Sequence, residues 1–295
     1  MGKQYIVIGT GPAGVAGAQA LRENDPDGRV LLIGDESLPF YSRIRLPEFL
    51  AGRIGRDDLV IRKEAWFRDR GVELRLGTRV EGLDTEARRV RLPGGAFEAY
   101  DALLLATGAR ANIPPFEGRE TPGVTAIRTA EDTEALREAA VKAKNVVAIG
   151  GGVLGLEMAN ALLSLGPKVT IVEVFPWLLP RQLDPEGGGV LQKILEDRGM
   201  EFRLDAKVGA IEGGDHVTAV RLGDETLPAD AVLVSAGIAS NTSLAREAGI
   251  EVGRGIVIDD STATSAPGVF AAGDAAEYGG RVFGIWPAAD AQGKG

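Results

Sequence analysis

Two stretches of this chain share one plan. "YIVIGTGPAG" (residues 5–14) and "VVAIGGGVLG" (residues 146–155) each run from four apolar residues into glycines spaced G-x-G-x-x-G, and each continues into an apolar helical pattern. A strand, a tight glycine turn and a helix in that order leave the first helical N–H groups without partners. That end of the helix favours a negatively charged pyrophosphate. In the first copy Gly9 permits the turn, Gly11 lets a ligand approach the backbone and Gly14 lets the helix pack closely on the strand; Gly150, Gly152 and Gly155 repeat the set. A chain built this way is committed to a parallel sheet with helices on its faces, because a strand feeding a helix must cross over to reach its next parallel neighbour.

The rest of the sequence repeats with the two turns. "DRGVELRL" (69–76) returns as "DRGMEFRL" (197–204), and "YDALLLATG" (100–108) returns as "ADAVLVSAG" (229–237), in the same order after each glycine turn. Self-similarity over such a length reads as two copies of one nucleotide-binding domain, since the period far exceeds that of stacked repeats. With 295 residues and 44% hydrophobic content, the chain can bury one large core or two ordinary ones.

Composition removes whole classes of function. No run approaches the roughly 20 apolar residues that span a bilayer, and the first strand begins near Gln4, so the expectation is a soluble cytoplasmic protein without a signal peptide or membrane association. A net charge of −9 with mixed signs argues against a nucleic-acid surface. There is no cysteine, which removes disulfide exchange, thiolate catalysis, iron–sulfur ligation and cysteine-based zinc sites from this stretch of chain. No metal site is expected. The single histidine, His216, falls in "EGGDHVTAV", which reads as a hairpin turn and makes it a solvated residue rather than a base.

Acids at the ends of the next strands select the nucleotide. Glu173 follows "KVTIV", eighteen residues past Gly155, where a carboxylate accepts hydrogen bonds from the adenosine ribose hydroxyls and repels a 2′-phosphate. NADH is therefore favoured over NADPH in the second copy; the nearest downstream arginine is Arg181. In the first copy "RVLLIGDE" offers Asp35 and Glu36, and the sequence does not choose between them.

A third segment, "TSAPGVFAAGDAAEY" (264–278), places Gly273 and Asp274 after a short strand, at the expected start of another helix. Taken with "GTGPAG", "YDALLLATGA", "GGGVLGLE" and "VLVSAGIASN", it resembles the FAD-dependent pyridine nucleotide-disulfide oxidoreductase family across nearly the whole chain. The resemblance implies an α/β fold of two Rossmann-like, three-layer domains, the second inserted in the first. An FAD domain would comprise 1–112 and 240–295 and an NAD(P)H domain 113–239, with crossings at "ANIPPFEG" and "GIASN". It further implies FAD contacts from Gly9, Gly11, Pro12, Ala13, Gly14, Asp35 or Glu36, Ala106, Thr107, Gly108, Gly273 and, on the ribityl chain, Asp274. Gly150, Gly152, Gly155, Glu173 and Gly237 fall to the cofactor set of the second copy. The family's C-terminal interface domain, which shapes a possible homodimer, is not in this sequence.

Within the family, "FYSRIRLPEFLAG" (40–52) and "RTAEDTEAL" (128–136) are similar to the branch holding rubredoxin reductases and the flavin-binding part of assimilatory nitrite reductases, a branch that works without the redox cysteines. This implies an NADH:acceptor oxidoreductase: hydride passes from NADH to flavin N5, and electrons pass on to a redox protein such as rubredoxin or to a nitrite reductase partner. A flavin-binding scaffold or NADH-responsive redox sensor is the alternative from another class, and an NADH oxidase using O₂ a third. Glu157 is implied as the carboxylate near nicotinamide and flavin, and Arg43 as a residue against the flavin or the FAD phosphates. Glu48 joins Glu157 and Arg43 as the candidate catalytic residues; it stands where related oxygenase reductases carry a lysine, which counts against a lysine–glutamate pair beside N5. Pro287 opens a helix whose N-terminus would face the flavin pyrimidine. Trp286 is read either as a cover on the ring or as simple packing.

Overall fold

A computed structural model describes residues 2–295. The chain divides into two compact units: one comprises the stretch up to Tyr41, Val60–Arg110 and Ile238–Gly295, the other Ser42–Leu59 and Ala111–Gly237. The sequence boundaries assign residues 42–59 to the first unit, yet these residues pack with the second. Their short helix Leu46–Leu50 lies against helices Ala130–Lys142 and Val153–Leu163. Arg56 holds Glu131 and Glu134 at 2.5 Å each. These partners lie far away in sequence, so nothing local in "SRIRLPEFLAGRIGRDDL" marks the side it joins.

In the first unit a five-stranded parallel sheet has the order Val269–Ala271, Ala102–Leu105, Gln4–Ile8, Arg29–Ile33, Val72–Arg75. In the second the order is Val124–Ala126, Ala231–Val234, Asn145–Ile149, Lys168–Val172, Glu201–Arg203, again parallel throughout. The central strands are covered on both faces, which is why they read as unbroken apolar runs rather than alternating ones. Val30, Leu31, Leu32 and Ile33 are all fully buried, each worth roughly 1.5–3 kcal/mol on removal from water. Between Val72–Arg75 and Ala102–Leu105 in the first unit, and between Glu201–Arg203 and Ala231–Val234 in the second, the chain adds a three-stranded antiparallel sheet: Gly82–Asp84, Arg89–Arg91 and Phe97–Ala99 in the first, Ala210–Gly213, Val217–Leu222 and Glu225–Pro228 in the second. The sequence repeat is therefore a repeat of topology.

The fifth strand differs in origin. The second unit takes it from just upstream, at Val124–Ala126, whereas the first takes it from Val269–Ala271. The first unit is completed by helix Trp286–Lys294, which crosses helix Pro12–Asn24 at backbone distance. A Cβ on Gly293 would lie 2.2 Å from the Ala13 carbonyl oxygen, so no larger residue fits this crossing.

A ring of alternating charge ties the outer strands of the first unit. Arg29 meets Glu73 at 2.6 Å and Glu98 at 3.1 Å, and Arg75 meets Glu73 at 2.6 Å and Glu98 at 2.7 Å. Partial burial alone would raise both carboxyl pKa values. Hydrogen bonds from the two guanidinium groups outweigh it and leave Glu73 and Glu98 below the ordinary carboxylate value. Their stabilisation is thus fully present above the unfolded value of about 4.3 and is lost as the pH falls through the lowered folded values. Thermal melts between pH 7 and pH 3 should show Glu98→Gln losing less Tm on the acid side than the parent chain; parallel curves would show that the ring contributes nothing.

Candidate functional site

The two glycine turns are built alike. Gly9 has φ +116° and Gly150 φ +113°, a region that disfavours every residue with a side chain. A Cβ on Gly9 would stand 2.0 Å from the Ala106 carbonyl oxygen, and one on Gly150 2.3 Å from that of Ser235. Gly14 packs its Cα on the Gly9 carbonyl and Gly155 on that of Gly150, at virtual Cβ distances of 1.8 and 2.1 Å. Around Gly11 and Gly152, by contrast, nothing lies within 4 Å of where a Cβ would be. These two residues cap helices Pro12–Asn24 and Val153–Leu163 with no side-chain capping bond. Each turn thus offers open backbone at a helix start, with Pro12 in the first helix removing one N–H that would need a partner.

Beyond this shared frame the turns diverge. By sheet register, Ile33 pairs with Ile8 and Val172 with Ile149, so Glu173 and Gly34 occupy equivalent positions. The backbone agrees: Gly34 N–H donates to the Arg75 carbonyl at 2.8 Å and Glu173 N–H to the Arg203 carbonyl at 2.9 Å. Glu173 is only 7% exposed, and its carboxylate accepts the Gly151 N–H at 2.6 Å and the Phe175 N–H at 3.0 Å. Four lone-pair directions leave room for further donors. In the first turn no carboxylate fits there, because a Cβ on Gly34 would meet the Thr10 side chain at 2.6 Å. The acids come one and two residues later. Asp35 is exposed, while Glu36 is half-buried and accepts the Tyr41 hydroxyl at 2.5 Å.

The fourth strand of each unit ends against its turn. Ala106 and Ser235 are the residues under Gly9 and Gly150, and Gly108 and Gly237 follow with φ of +65° and +90°. Within the first unit, Asn241 Nδ2 donates to the Thr107 carbonyl at 2.9 Å and Thr107 Oγ1 donates to the Asn241 carbonyl at 2.8 Å. Within the second, Asn112 Nδ2 donates to the Ala236 carbonyl at 3.2 Å. Sequence reasoning passed over this asparagine pair, although its signal is there: "GARAN" and "GIASN" place an asparagine at the same distance from Gly108 and Gly237.

Gly273 lies beside Ala13, a virtual Cβ standing 3.0 Å from the Ala13 Cβ, and its N–H donates to Gln292 Oε1 at 2.9 Å. The structure therefore gathers Gly9 to Gly14, Ala106 and the Gly273–Asp274 segment. The helix expected after Asp274 is a single 3-10 turn, Gly273–Ala275, which passes into the short strand Ala276–Glu277. That strand pairs with Ile256–Val257, so its backbone groups are used in a ladder instead of a helix. Trp286 begins the last helix, with exposed Pro287 after it, and packs its ring 5.3 Å from that of Phe40. Packing against Phe40 in a tilted arrangement thus engages the indole.

In the second unit Glu157 is exposed on helix Val153–Leu163 and has no hydrogen-bond or ion-pair partner among the described residues. Arg43 and Glu48 fall in the segment that packs on this unit. Arg43 Nη1 donates to the Arg128 carbonyl at 2.5 Å, and Glu48 pairs with Arg45 at 2.9 Å. His216 is exposed in the turn expected for it, with Nε2 2.9 Å from the Asp230 carbonyl oxygen. No helix among the described residues is long and apolar enough to cross a membrane.

Two doubly wound sheets in strand order 3-2-1-4, each with an open glycine turn at the head of its first helix, define a tandem dinucleotide-binding fold. The chain belongs to the pyridine nucleotide-disulphide oxidoreductase family, whose model matches residues 3–293. It is 36% identical over 285 residues to the nitrite reductase [NAD(P)H] of Bacillus subtilis, spanning 96% of this chain and 35% of that one. It is 34% identical over 274 residues to the rubredoxin-NAD(+) reductase of Pseudomonas putida, spanning 92% of this chain and 71% of that one. Putidaredoxin reductase, in the structure of its covalent complex with putidaredoxin, superposes with a TM-score of 0.91 at 30% identity, over 99% of this chain and 73% of that one. The chain thus spans about a third of the nitrite reductase it resembles.

Proposed function

We propose that this chain is the nucleotide-binding part of an FAD-dependent NADH:acceptor oxidoreductase, with FAD on the first unit and NADH on the second. The observation that carries this reading is the pair of open glycine turns, of which only the second is backed by a buried, backbone-held carboxylate, Glu173. The open approach at Gly11 and Gly152, where a side chain would fill the space, fits a pyrophosphate on each turn. When bound, the two cofactors supply hydride transfer from nicotinamide to flavin N5 and onward electron transfer.

The protein's own groups hold and orient. The backbone of Gly11, Ala13 and Gly14 would carry the FAD pyrophosphate, with Asp274 on the ribityl chain and Asp35 or Glu36 on the ribose. Gly152 and the first turn of helix Val153–Leu163 would carry the second pyrophosphate. Glu173 accepts the adenosine ribose hydroxyls and repels a 2′-phosphate, which favours NADH. Glu157, exposed and unengaged, is free to accept a hydrogen bond from a nicotinamide amide and so fix its orientation. The start of helix Trp286–Lys294 favours negative charge on a reduced ring placed before it. Within the second unit Arg43 is oriented by its bond to the Arg128 carbonyl and Glu48 by its pair with Arg45. A rubredoxin-like or ferredoxin-like protein, or a nitrite reductase partner, is the acceptor supported by the names of the relatives.

Anaerobic stopped-flow mixing of FAD-loaded protein with NADH or NADPH tests the reading. Flavin bleaching should be fast with NADH and at least about tenfold less efficient with NADPH. Protein that holds FAD and is not bleached by either dinucleotide would refute the hydride-transfer assignment and support a flavin-binding scaffold.

A further inference from the structure

The loop that follows Glu173 is tightly made. Residues 173–184 leave the end of strand Lys168–Val172, pass over the second glycine turn and enter helix Pro185–Glu196 through an Asp184 cap on the Gly187 N–H at 2.8 Å. Both polar groups of Gly151 are taken by this loop. Its N–H goes to the Glu173 carboxylate at 2.6 Å, and its carbonyl receives the Leu179 N–H at 3.4 Å. Leu178, fully buried, closes on the same residue: a Cβ on Gly151 would stand 2.9 Å from Leu178 Cδ2 and 3.2 Å from Glu173 Oε2. The loop is then folded back on itself. The Leu179 carbonyl accepts the N–H groups of Gln182 and Leu183 at 2.9 Å each, and Trp177 Nε1 donates to the Leu183 carbonyl at 3.0 Å.

One residue makes this path possible at the expense of its own conformation. Leu179 has φ +52°, in the left-handed region that bulky residues rarely occupy. Such strain persists where surrounding contacts over-determine it, and it gathers at ligand clamps. Here the left-handed turn brings the Leu179 N–H back to Gly151 and sets Leu178 against the glycine turn.

We propose that the left-handed turn at Leu179 is what holds this loop on Gly151, and that Leu179 is thereby a positioning residue for the Glu173 carboxylate and for selection of NADH over NADPH. This rests on the reading that the second unit binds NADH. Glu173 and Leu179 grip one residue from opposite sides, so loss of the Leu179 turn loosens the residue to which the carboxylate is bound.

The test is a series at one position in the FAD-loaded chain, with NAD⁺ and NADP⁺ binding followed by calorimetry, since oxidised dinucleotides report affinity without turnover. Leu179→Val, β-branched and averse to the left-handed region, should weaken NAD⁺ binding by about tenfold and narrow the NAD⁺ to NADP⁺ ratio. Leu179→Gly and Leu179→Asn, which accept that region, should bind NAD⁺ within about twofold of the parent and keep the ratio. FAD content and Tm, read in parallel, separate this effect from loss of fold. If Leu179→Val keeps the parent affinities and ratio, or if Gly weakens binding as much as Val does, the positioning role is overturned and the NADH reading stands. A parent chain that binds FAD and neither dinucleotide overturns both.

Discussion

Gly9→Ala is expected to purify almost free of flavin, and Gly150→Ala to purify yellow and stay yellow when NADH is added without oxygen. The two substitutions are chemically identical and structurally equivalent, which makes their crossed phenotypes informative. Each forces a side chain into a left-handed backbone, a penalty of about 1–3 kcal/mol. Each also drives a methyl group into a backbone carbonyl oxygen, at 2.0 Å in the first turn and 2.3 Å in the second. Carbonyls at the ends of parallel strands cannot swing aside, so the glycine turn must move, and the helix start with it. A displacement worth about 3 kcal/mol in binding is a loss of more than a hundredfold in affinity. The flavin-to-protein absorbance ratio and anaerobic bleaching measure the two outcomes. Loss of flavin in Gly150→Ala with retention in Gly9→Ala would reverse the assignment of cofactors to units.

Glu173→Ala should show the next largest effect, in two separable ways. It leaves the Gly151 and Phe175 N–H groups without their acceptor at a site only 7% exposed, which is expected to destabilise the second unit by about 1–3 kcal/mol. On the proposed reading it also removes both the acceptor for the ribose hydroxyls and the negative charge facing a 2′-phosphate. The preference for NADH should then fall by about ten- to a hundredfold, through weaker NADH and stronger NADPH binding. Glu173→Gln should fall between, because its amide still offers one acceptor oxygen but turns a donor toward the other N–H. The concentrations of NADH and NADPH giving half-maximal bleaching, with thermal melts alongside, separate the two parts. An unchanged ratio in Glu173→Ala would remove the carboxylate from nucleotide selection.

What could be read in the sequence was whatever depends on neighbours in sequence. The glycine turns announced themselves because G-x-G-x-x-G is a local backbone demand, and the structure places Gly9, Gly14, Gly150 and Gly155 in the crowded positions their spacing implies. The duplication was legible from paired segments such as "YDALLLATG" and "ADAVLVSAG", which became equivalent strands. Features set by contacts across long separations were not legible. Residues 42–59 join the second unit through Arg56 and two glutamates more than seventy residues away. The mismatch between Gly34 and Glu173 emerges only when register is counted from the paired strands, since the loop "ENDPDGR" obscures the alignment. Leu179 gives no warning at all: leucine carries no preference for the left-handed region, and the contacts that accompany its turn, the hydrogen bond to Gly151 and the burial of Leu178, exist only in the folded unit. The expected helix after Asp274 failed for a related reason, as a distant partner, Ile256–Val257, recruits Ala276–Glu277 into a ladder.

The late crossing of helix Trp286–Lys294 on helix Pro12–Asn24 has a consequence for how the chain is made. The second unit has all of its residues once Gly237 has emerged from the ribosome, whereas the first, begun earlier, still lacks the edge strand Val269–Ala271 and the helix that lies on Ala13. Translation of the intervening stretch takes on the order of several seconds. Throughout that interval strand Ala102–Leu105 presents an open, apolar edge of the kind that pairs with other chains. Of the two units, the one whose synthesis begins first is thus the later to receive its last sheet strand.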